Sequence, residues 1–270
     1  MIHKDKRPLI MGIINCTPDS FYVRSRKQGA EEALNQALTM VREGADILDL
    51  GGESSRPGAA SVSLSEELDR VIPVVEAIRK EIDIPLSVDT RKSQVARAAL
   101  DAGANIINDI SALRDDPEMT SLAVEKDCPV ILMHMKGTPE SMQIKPEYVS
   151  VVDEVLDFLL KVAASAEEAG VAKKNIVLDP GIGFGKSLKD NLDLIRNIDR
   201  FYQIGYALLI GLSRKSFIGE ILDVEPEDRL IGSLIANGWC AAKGVDILRV
   251  HDVGETFQMV RMMQELLWKD

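Results

Sequence analysis

Histidine and cysteine are both scarce in this chain, at three residues each in 270. Cys16, Cys128 and Cys240 are widely spaced and form no CxxC pair, which argues against a disulfide scaffold or zinc ribbon and suits a reducing, cytoplasmic setting. His3, His134 and His251 make no HxH or HExxH pattern, so a hydrolytic zinc centre is disfavoured. No apolar run approaches the roughly 18 residues of a membrane span. The apolar stretch from Leu9 to Ile14 runs into Asn15 and is too short for a signal-peptide core. Positive charge is also in short supply, 32 Lys+Arg against 43 Asp+Glu for a net −11. Non-specific affinity for nucleic acid comes from Lys and Arg releasing counterions, so nucleic acid is not the expected partner. No Pro/Ser linker or low-complexity segment divides the chain, and residues 1–270 are expected to form a single domain.

What the sequence does have is a recurrence of short β-branched runs, each followed by a stretch of helical periodicity. The runs are Leu9 to Asn15, Asp46 to Gly51, Pro85 to Asp89, Asn105 to Asp109, Pro129 to His134, Asn175 to Asp179, Ala207 to Leu212 and Val245 to His251. Between them lie patterns such as Leu34, Ala37, Leu38 and Val41. Alternating strand and helix predicts a parallel sheet, and near-continuous apolar strands predict burial on both faces. Gly44-Ala45, Gly103-Ala104 and Gly244-Val245 precede strands and supply left-handed helix caps. Eight such units in 270 residues predict an α/β fold of the (β/α)8 TIM-barrel class, which typically needs about 250 residues. An open doubly wound sheet is the alternative.

In such a barrel the site lies at the carboxyl ends of the strands. Read in order, those ends carry Asn15, Glu53, Asp89, Asn108 with Asp109, His134, Asp179, Ser213 to Lys215, and Arg249 with His251. Any one of them could simply mark a strand leaving the core, but eight together favour a ligand site. The segment Gly181-Ile-Gly-Phe-Gly-Lys-Ser187 fails the P-loop pattern, because Pro180 stands where the first glycine belongs. Met133 and Met135 flank His134, and a structural role for this histidine is the expectation. Arg249 and His251 alternate along a strand and so share a side, as an anion site would require. Ser213-Arg214-Lys215-Ser216 could hold phosphate through Arg214 and Lys215.

The strand ends together spell a family. Met11-Gly-Ile-Ile-Asn-Cys-Thr-Pro-Asp-Ser-Phe21, Asp49-Leu-Gly-Gly-Glu-Ser-Ser-Arg-Pro-Gly58, Ser87-Val-Asp-Thr90, Ile107-Asn-Asp109 and Leu132-Met-His-Met135 come first. Leu178-Asp-Pro-Gly-Ile-Gly-Phe-Gly-Lys186, Gly211-Leu-Ser-Arg-Lys-Ser-Phe217 and Arg249-Val-His-Asp252 follow. In this order they closely resemble the dihydropteroate synthase family of pterin-binding barrels. The resemblance implies condensation of 6-hydroxymethyl-7,8-dihydropterin diphosphate with p-aminobenzoate, releasing diphosphate. It assigns Asp89, Asn108, Asp179 and Lys215 to the pterin ring, with Met135 and Phe184 as walls. It further assigns Asn15, Arg56, Arg249 and His251 to the diphosphate, with Asn15 joining Mg2+. For p-aminobenzoate it implies Phe21, Ser55, Pro57, Lys215 and Ser216, with sulfonamides as competitors. Catalysis would fall to Asp89, Asp179, Lys215, Arg249 and His251, in a homodimer joined by helices near the carboxyl end.

The first loop departs from the family pattern. After Asp19-Ser20-Phe21 many members continue Ser-Asp-Gly-Gly, where this chain has Tyr22-Val23-Arg24-Ser25, so no role passes to the missing aspartate. Ser55 replaces a common threonine, and Cys16 a common valine or isoleucine. A methyltransferase using methyltetrahydrofolate would share the ring-binding acids but have little use for diphosphate ligands such as Arg56, Arg249 and His251. A catalytically silent paralogue that only binds pterins or a partner protein is the third reading; the altered first loop supports it, and intact Asp89, Asn108, Asp179 and Lys215 argue against it. Met259, Met262, Met263 and Leu266 near the carboxyl end are expected to be core.

Overall fold

Eight strands run parallel and close on themselves in chain order: β1 (Leu9–Asn15), β2 (Ile47–Gly51), β3 (Leu86–Asp89), β4 (Ile106–Asp109), β5 (Val130–Met133), β6 (Ile176–Asp179), β7 (Ala207–Gly211) and β8 (Ile247–Val250). The structure, a computed structural model, describes residues 7–16, 26–54, 58–59, 61–139, 141–142 and 146–268. The expected closed barrel is therefore observed, and the open sheet is not. Around it lie α1 (Arg26–Glu43), α2 (Leu64–Glu81), α3 (Ser93–Asp101), α4 (Glu118–Lys126), α5 (Val151–Glu168), α6 (Leu188–Arg196), α7 (Ile198–Tyr202), α8 (Ser216–Leu222), α9 (Leu230–Ala242) and α10 (Val253–Met263). Two helical pieces follow β6 and two follow β7, a division the periodicity does not reveal. Asp223 ends α8 at a left-handed φ of 54°. Such a stop is hard to read in a sequence when it is not glycine.

The period-two alternation of each strand divides its side chains between two environments. One set, including Ile10, Leu48, Leu86, Ile107, Leu132, Leu178, Ile210 and Leu248, packs outward under the helices. The other set points into the barrel. Its lower layer is apolar, with Met11, Ile47, Ile131, Val177, Leu209 and Ile247 forming one buried cluster. Two residues further along their strands, the same face carries Asp49 above Ile47, Asn108 above Ile106, Asp179 above Val177 and Arg249 above Ile247. The barrel is thus plugged below and polar above. Register sets the upper ring, since Asn15 pairs with Gly51, Gly51 with Asp89, and Asp89 with Asn108.

The predicted glycine caps are present, with φ of 103° at Gly44, 113° at Gly103 and 96° at Gly244. The bond from Ala45 N–H to the Met40 carbonyl, 2.9 Å, and its counterpart from Ala104 to Ala99, 2.8 Å, close the helix ends in the Schellman manner. The carboxyl-terminal apolar residues divide, contrary to the expectation that all are core. Met259 and Met263 pack on the core, whereas Met262 is 60% and Leu266 72% exposed. The four occupy neighbouring positions around the helix, so the edge of the covered face runs between them, and composition alone cannot place that edge. No helix among the described residues is long and apolar enough to cross a membrane.

Candidate active site

At the upper mouth of the barrel, four strands deliver three charged side chains and one amide to a single, largely buried cluster. Asp49 Oδ2 accepts from Arg249 Nε at 2.7 Å and from Asn108 Nδ2 at 3.1 Å, and lies 2.6 Å from Arg249 Nη2. The same Nη2 reaches Asp89 Oδ2 at 2.9 Å. Gly51 lies beside Asp89, where an added Cβ would meet the Asp89 Cβ at 3.5 Å. Gly211 likewise lies beside Arg249. Neither position places a side chain against its charged neighbour. Burial raises the Asp89 pKa, and although Arg249 pulls it down, neighbouring Asp49, Glu67 and Asp109 push the same way as burial.

Across the mouth, Asp179 Oδ1 accepts the Gly181 N–H at 2.7 Å. Burial raises its pKa, opposed chiefly by the charge of Lys215. Lys215 donates to the Ile182 carbonyl and stands 4.7 Å from the centroid of the Phe184 ring. Burial lowers its pKa to about 8, with Asp179 opposing and Arg249 adding to the shift. An acid and a cation that oppose each other's displacement at one barrel mouth are suited to a planar ligand carrying donors on one edge and acceptors on another.

The loop that carries Phe184 is held from beneath by a residue the sequence reading passed over. Lys186 is 3% exposed. Its ammonium meets the carbonyls of Gly181 at 2.8 Å and Phe184 at 3.0 Å, and His134 Nδ1 at 2.9 Å. A lysine in a glycine-rich loop usually reads as solvated, so its sequence offers no signal of burial. Gly181, at φ 66°, is obligatory, because a Cβ there would lie 2.0 Å from the His134 carbonyl oxygen. His134 is therefore structural, as expected.

Burial and the cations Lys186 and Arg114 hold His134 neutral, with its pKa lowered to about 2 from 6.5. A pKa depressed on folding contributes stability that is complete above the unfolded value and is lost as pH falls below it. Near pH 5 the loss is about 2 kcal/mol, at about 1.4 kcal/mol per unit. Urea denaturation of the wild type and His134→Gln at pH 7.5 and pH 5 should show the stability gap between them narrowing by about that amount. A gap independent of pH would contradict the assignment of a neutral imidazole.

Other expectations fare differently. The Arg249 and His251 side chains do not stand together as a free anion pair. Arg249 is committed to Asp49 and Asp89, and β8 ends at Val250, so the strand alternation does not extend to His251. His251 Nδ1 lies 3.1 Å from Ser213 Oγ. Arg214 is no phosphate ligand here. Its Nε and Nη2 bind Asp252 at 2.9 and 2.7 Å, and its Nη1 binds the Pro226 and Glu227 carbonyls. Asp109, facing outward, takes the Ser111 and Leu113 N–H groups, each at 2.8 Å, and braces a turn. Glu53 is clamped by Arg91 and Lys92, both at 2.5 Å. Asn15 ends β1 half-buried, Met135 is buried, and Ser216 is exposed at the start of α8. Phe21, Ser55, Arg56 and Pro57 lie outside the described residues. Asp49 is missing from the sequence-derived site. The alternation Ile47, Asp49, Gly51 was the signal that could have found it.

Comparison with known proteins agrees with this geometry. The model of the pterin binding enzyme family matches residues 11–251. A curated dihydropteroate synthase of Haemophilus influenzae is 48% identical over 257 residues, covering 95% of this chain and 93% of that protein. Among solved structures, Xanthomonas albilineans dihydropteroate synthase with 4-aminobenzoic acid superposes with a TM-score of 0.92 at 44% identity, covering 98% and 95% of the two chains. Yersinia pestis dihydropteroate synthase in a sulfonamide drug complex gives 0.91 at 43% identity, covering 96% and 94%.

Proposed function

The chain belongs to the pterin-binding enzyme family, and from that premise we propose which residues perform its reaction. That reaction is the dihydropteroate synthase condensation, in which 6-hydroxymethyl-7,8-dihydropterin diphosphate and p-aminobenzoate give 7,8-dihydropteroate and diphosphate. One observation carries the assignment of roles: buried Asp179, Asn108 and Asp89, with half-buried Lys215 beside Asp179, gather at the strand ends above the apolar plug. The Asp179 carboxylate accepts the 2-amino and ring N–H donors of the pterin. Lys215 donates to acceptors on the other edge, Asn108 and Asp89 complete the ring contacts, and Phe184 and Met135 form the walls.

As the C–O bond to diphosphate breaks, the methylene carbon gains positive charge that spreads into the pterin. Fixed carboxylates in a dry site stabilise such charge without reorganising. The aniline nitrogen of p-aminobenzoate then attacks with its lone pair, forming the C–N bond and losing a proton. Arg249, His251 and Arg56 receive the departing diphosphate, for which Arg249 must exchange carboxylate partners for phosphate oxygens. Ser216, Lys215, Phe21, Ser55 and Pro57 accommodate the second substrate.

Asn15 is the candidate ligand for magnesium, at the half-buried end of β1. An amide oxygen suits a hard cation whose other positions go to phosphate and water. Asn15 would hold it, and it would neutralise the diphosphate charge. Residues 1–270 are read as one cytoplasmic domain acting as a homodimer. Support for the dimer comes from an apolar stripe on α9, with Ile231 and Ile235 each 70% and Trp239 49% exposed. Light scattering should find a dimer that Ile235→Glu converts to monomer, because a charge buried at an interface without a partner costs several kcal/mol. A monomeric wild type would remove the dimer from the proposal.

The activity itself is tested by supplying both substrates with Mg2+ and following diphosphate release, with a sulfonamide as competitor against p-aminobenzoate. Folded protein without turnover would overturn the assignment. Turnover indifferent to the sulfonamide would overturn the second-substrate pocket.

A further inference from the structure

We propose that Asp49 is a positioning residue for the pterin site, fixing which edge of the Asn108 amide faces the substrate. The inference rests on the reading of Asn108 as a pterin contact. Asp49 is 0% exposed, and its Oδ2 alone takes Arg249 Nε, Arg249 Nη2 and Asn108 Nδ2, at 2.7, 2.6 and 3.1 Å. Its Oδ1 is buried without a hydrogen-bond partner among the described residues. An orphaned carboxylate oxygen is destabilising, and an apolar side chain would fill the same space without that penalty. The arrangement is therefore poor as packing but effective as an orienting device.

A carboxylate paired with a guanidinium acts as an acceptor, and Asp49 is so paired with Arg249. The Asn108 amide must therefore turn its Nδ2 toward Asp49, which points its carbonyl oxygen the other way. The amide thus offers an acceptor to a ring donor before any ligand arrives, and half a turn of the side chain would offer a donor instead. The same oxygen links the amide to Arg249, so the ring-binding and diphosphate-binding groups share one anchor.

Exchanging the two residues tests the idea. Wild type, Asp49→Asn, Asn108→Asp and the double exchange are titrated calorimetrically with 6-hydroxymethyl-7,8-dihydropterin, which lacks the diphosphate and so leaves Arg249's anion contacts out of the reading. Asp49→Asn frees the amide to rotate, and Asn108→Asp sets two carboxylates against each other. Each should bind at least about tenfold more weakly, the scale of one misplaced buried hydrogen bond. In the double exchange the amide at position 49 can donate to the carboxylate at position 108 while its oxygen turns to Arg249, and affinity should return to within about threefold of wild type. The KM for p-aminobenzoate should stay within about twofold in Asp49→Asn, a selectivity that a general loss of packing would not give. Unchanged binding in Asp49→Asn, or a folded double exchange as weak as the single variants, would overturn the proposal. Should Asp49→Asn alone not fold, the comparison of Asn108→Asp with the double exchange decides it. A wild type that binds no pterin would instead overturn the reading of the site.

Discussion

Asp179→Asn should lower kcat/KM for the pterin diphosphate by roughly 10²–10³, about 3–4 kcal/mol, the scale of one charged donor or acceptor removed from a preorganised site. The substitution is chosen for what it keeps. Its side-chain oxygen can still accept the Gly181 N–H that Asp179 holds at 2.7 Å, so the loop leading to Phe184 retains its anchor. What disappears is the negative charge opposite the ring. Losing that charge also removes the main influence holding the Lys215 pKa up against burial. Lys215 sits at about 8 in the wild type and must fall below that in the variant. If a protonated Lys215 is needed, the alkaline decline of kcat/KM should begin at lower pH in Asp179→Asn than in the wild type. Profiles between pH 6 and 9 measure this, and superimposable curves with equal rates would exclude Asp179 from the reaction.

Removing Arg249 should damage both stability and activity. In Arg249→Met, Asp49 and Asp89 are left facing each other in the barrel mouth without their shared cation, and breaking a buried ion pair from one side typically costs about 3–5 kcal/mol. The sign of the pH dependence follows from Asp89, whose pKa is raised by burial even with Arg249 in place. Arg249 is the influence that lowers it, so its loss raises the pKa further. A carboxyl group raised on folding contributes stability that is complete below its unfolded pKa and is lost as pH climbs through the folded value. The variant should therefore be closest to wild type near pH 5 and weakest near pH 8 in urea denaturation. Its turnover should fall with its ability to receive diphosphate, with partial recovery in Arg249→Lys. A deficit that grew toward acid pH would contradict the carboxylate pairing.

Much of this was legible in the sequence because a parallel barrel writes itself locally. Eight β-branched runs, the glycine caps at Gly44, Gly103 and Gly244, and the polar residue ending each strand all arise from interactions between near neighbours in the chain. The candidate pterin residues Asp89, Asn108, Asp179 and Lys215 were found that way, and the barrel brings them to one mouth. Residues whose roles depend on distant partners were misjudged or missed. Arg249 looked like an anion ligand standing ready, yet its partners lie 160 and 200 positions away. Arg214 looked equally available, and Asp252, 38 positions on, claims it. Lys186 was given no role, and His134 together with two carbonyls buries it.

By itself, then, the sequence determined the order and kind of the elements and the chemistry gathered at the strand ends, and their number made a closed barrel the expectation. These follow from periodicity and from residue types, which act over a few positions. Only the tertiary structure decided which of those charged groups face one another. It made Asp49 the common acceptor of Asn108 and Arg249, set Asp179 and Lys215 to shift each other's ionisation, and spent Glu53 and Asp109 on bracing loops. The reason is that Coulomb and hydrogen-bond energies depend on separations of a few ångströms and on burial. Strand register and barrel closure fix those separations between residues that the linear chain keeps far apart.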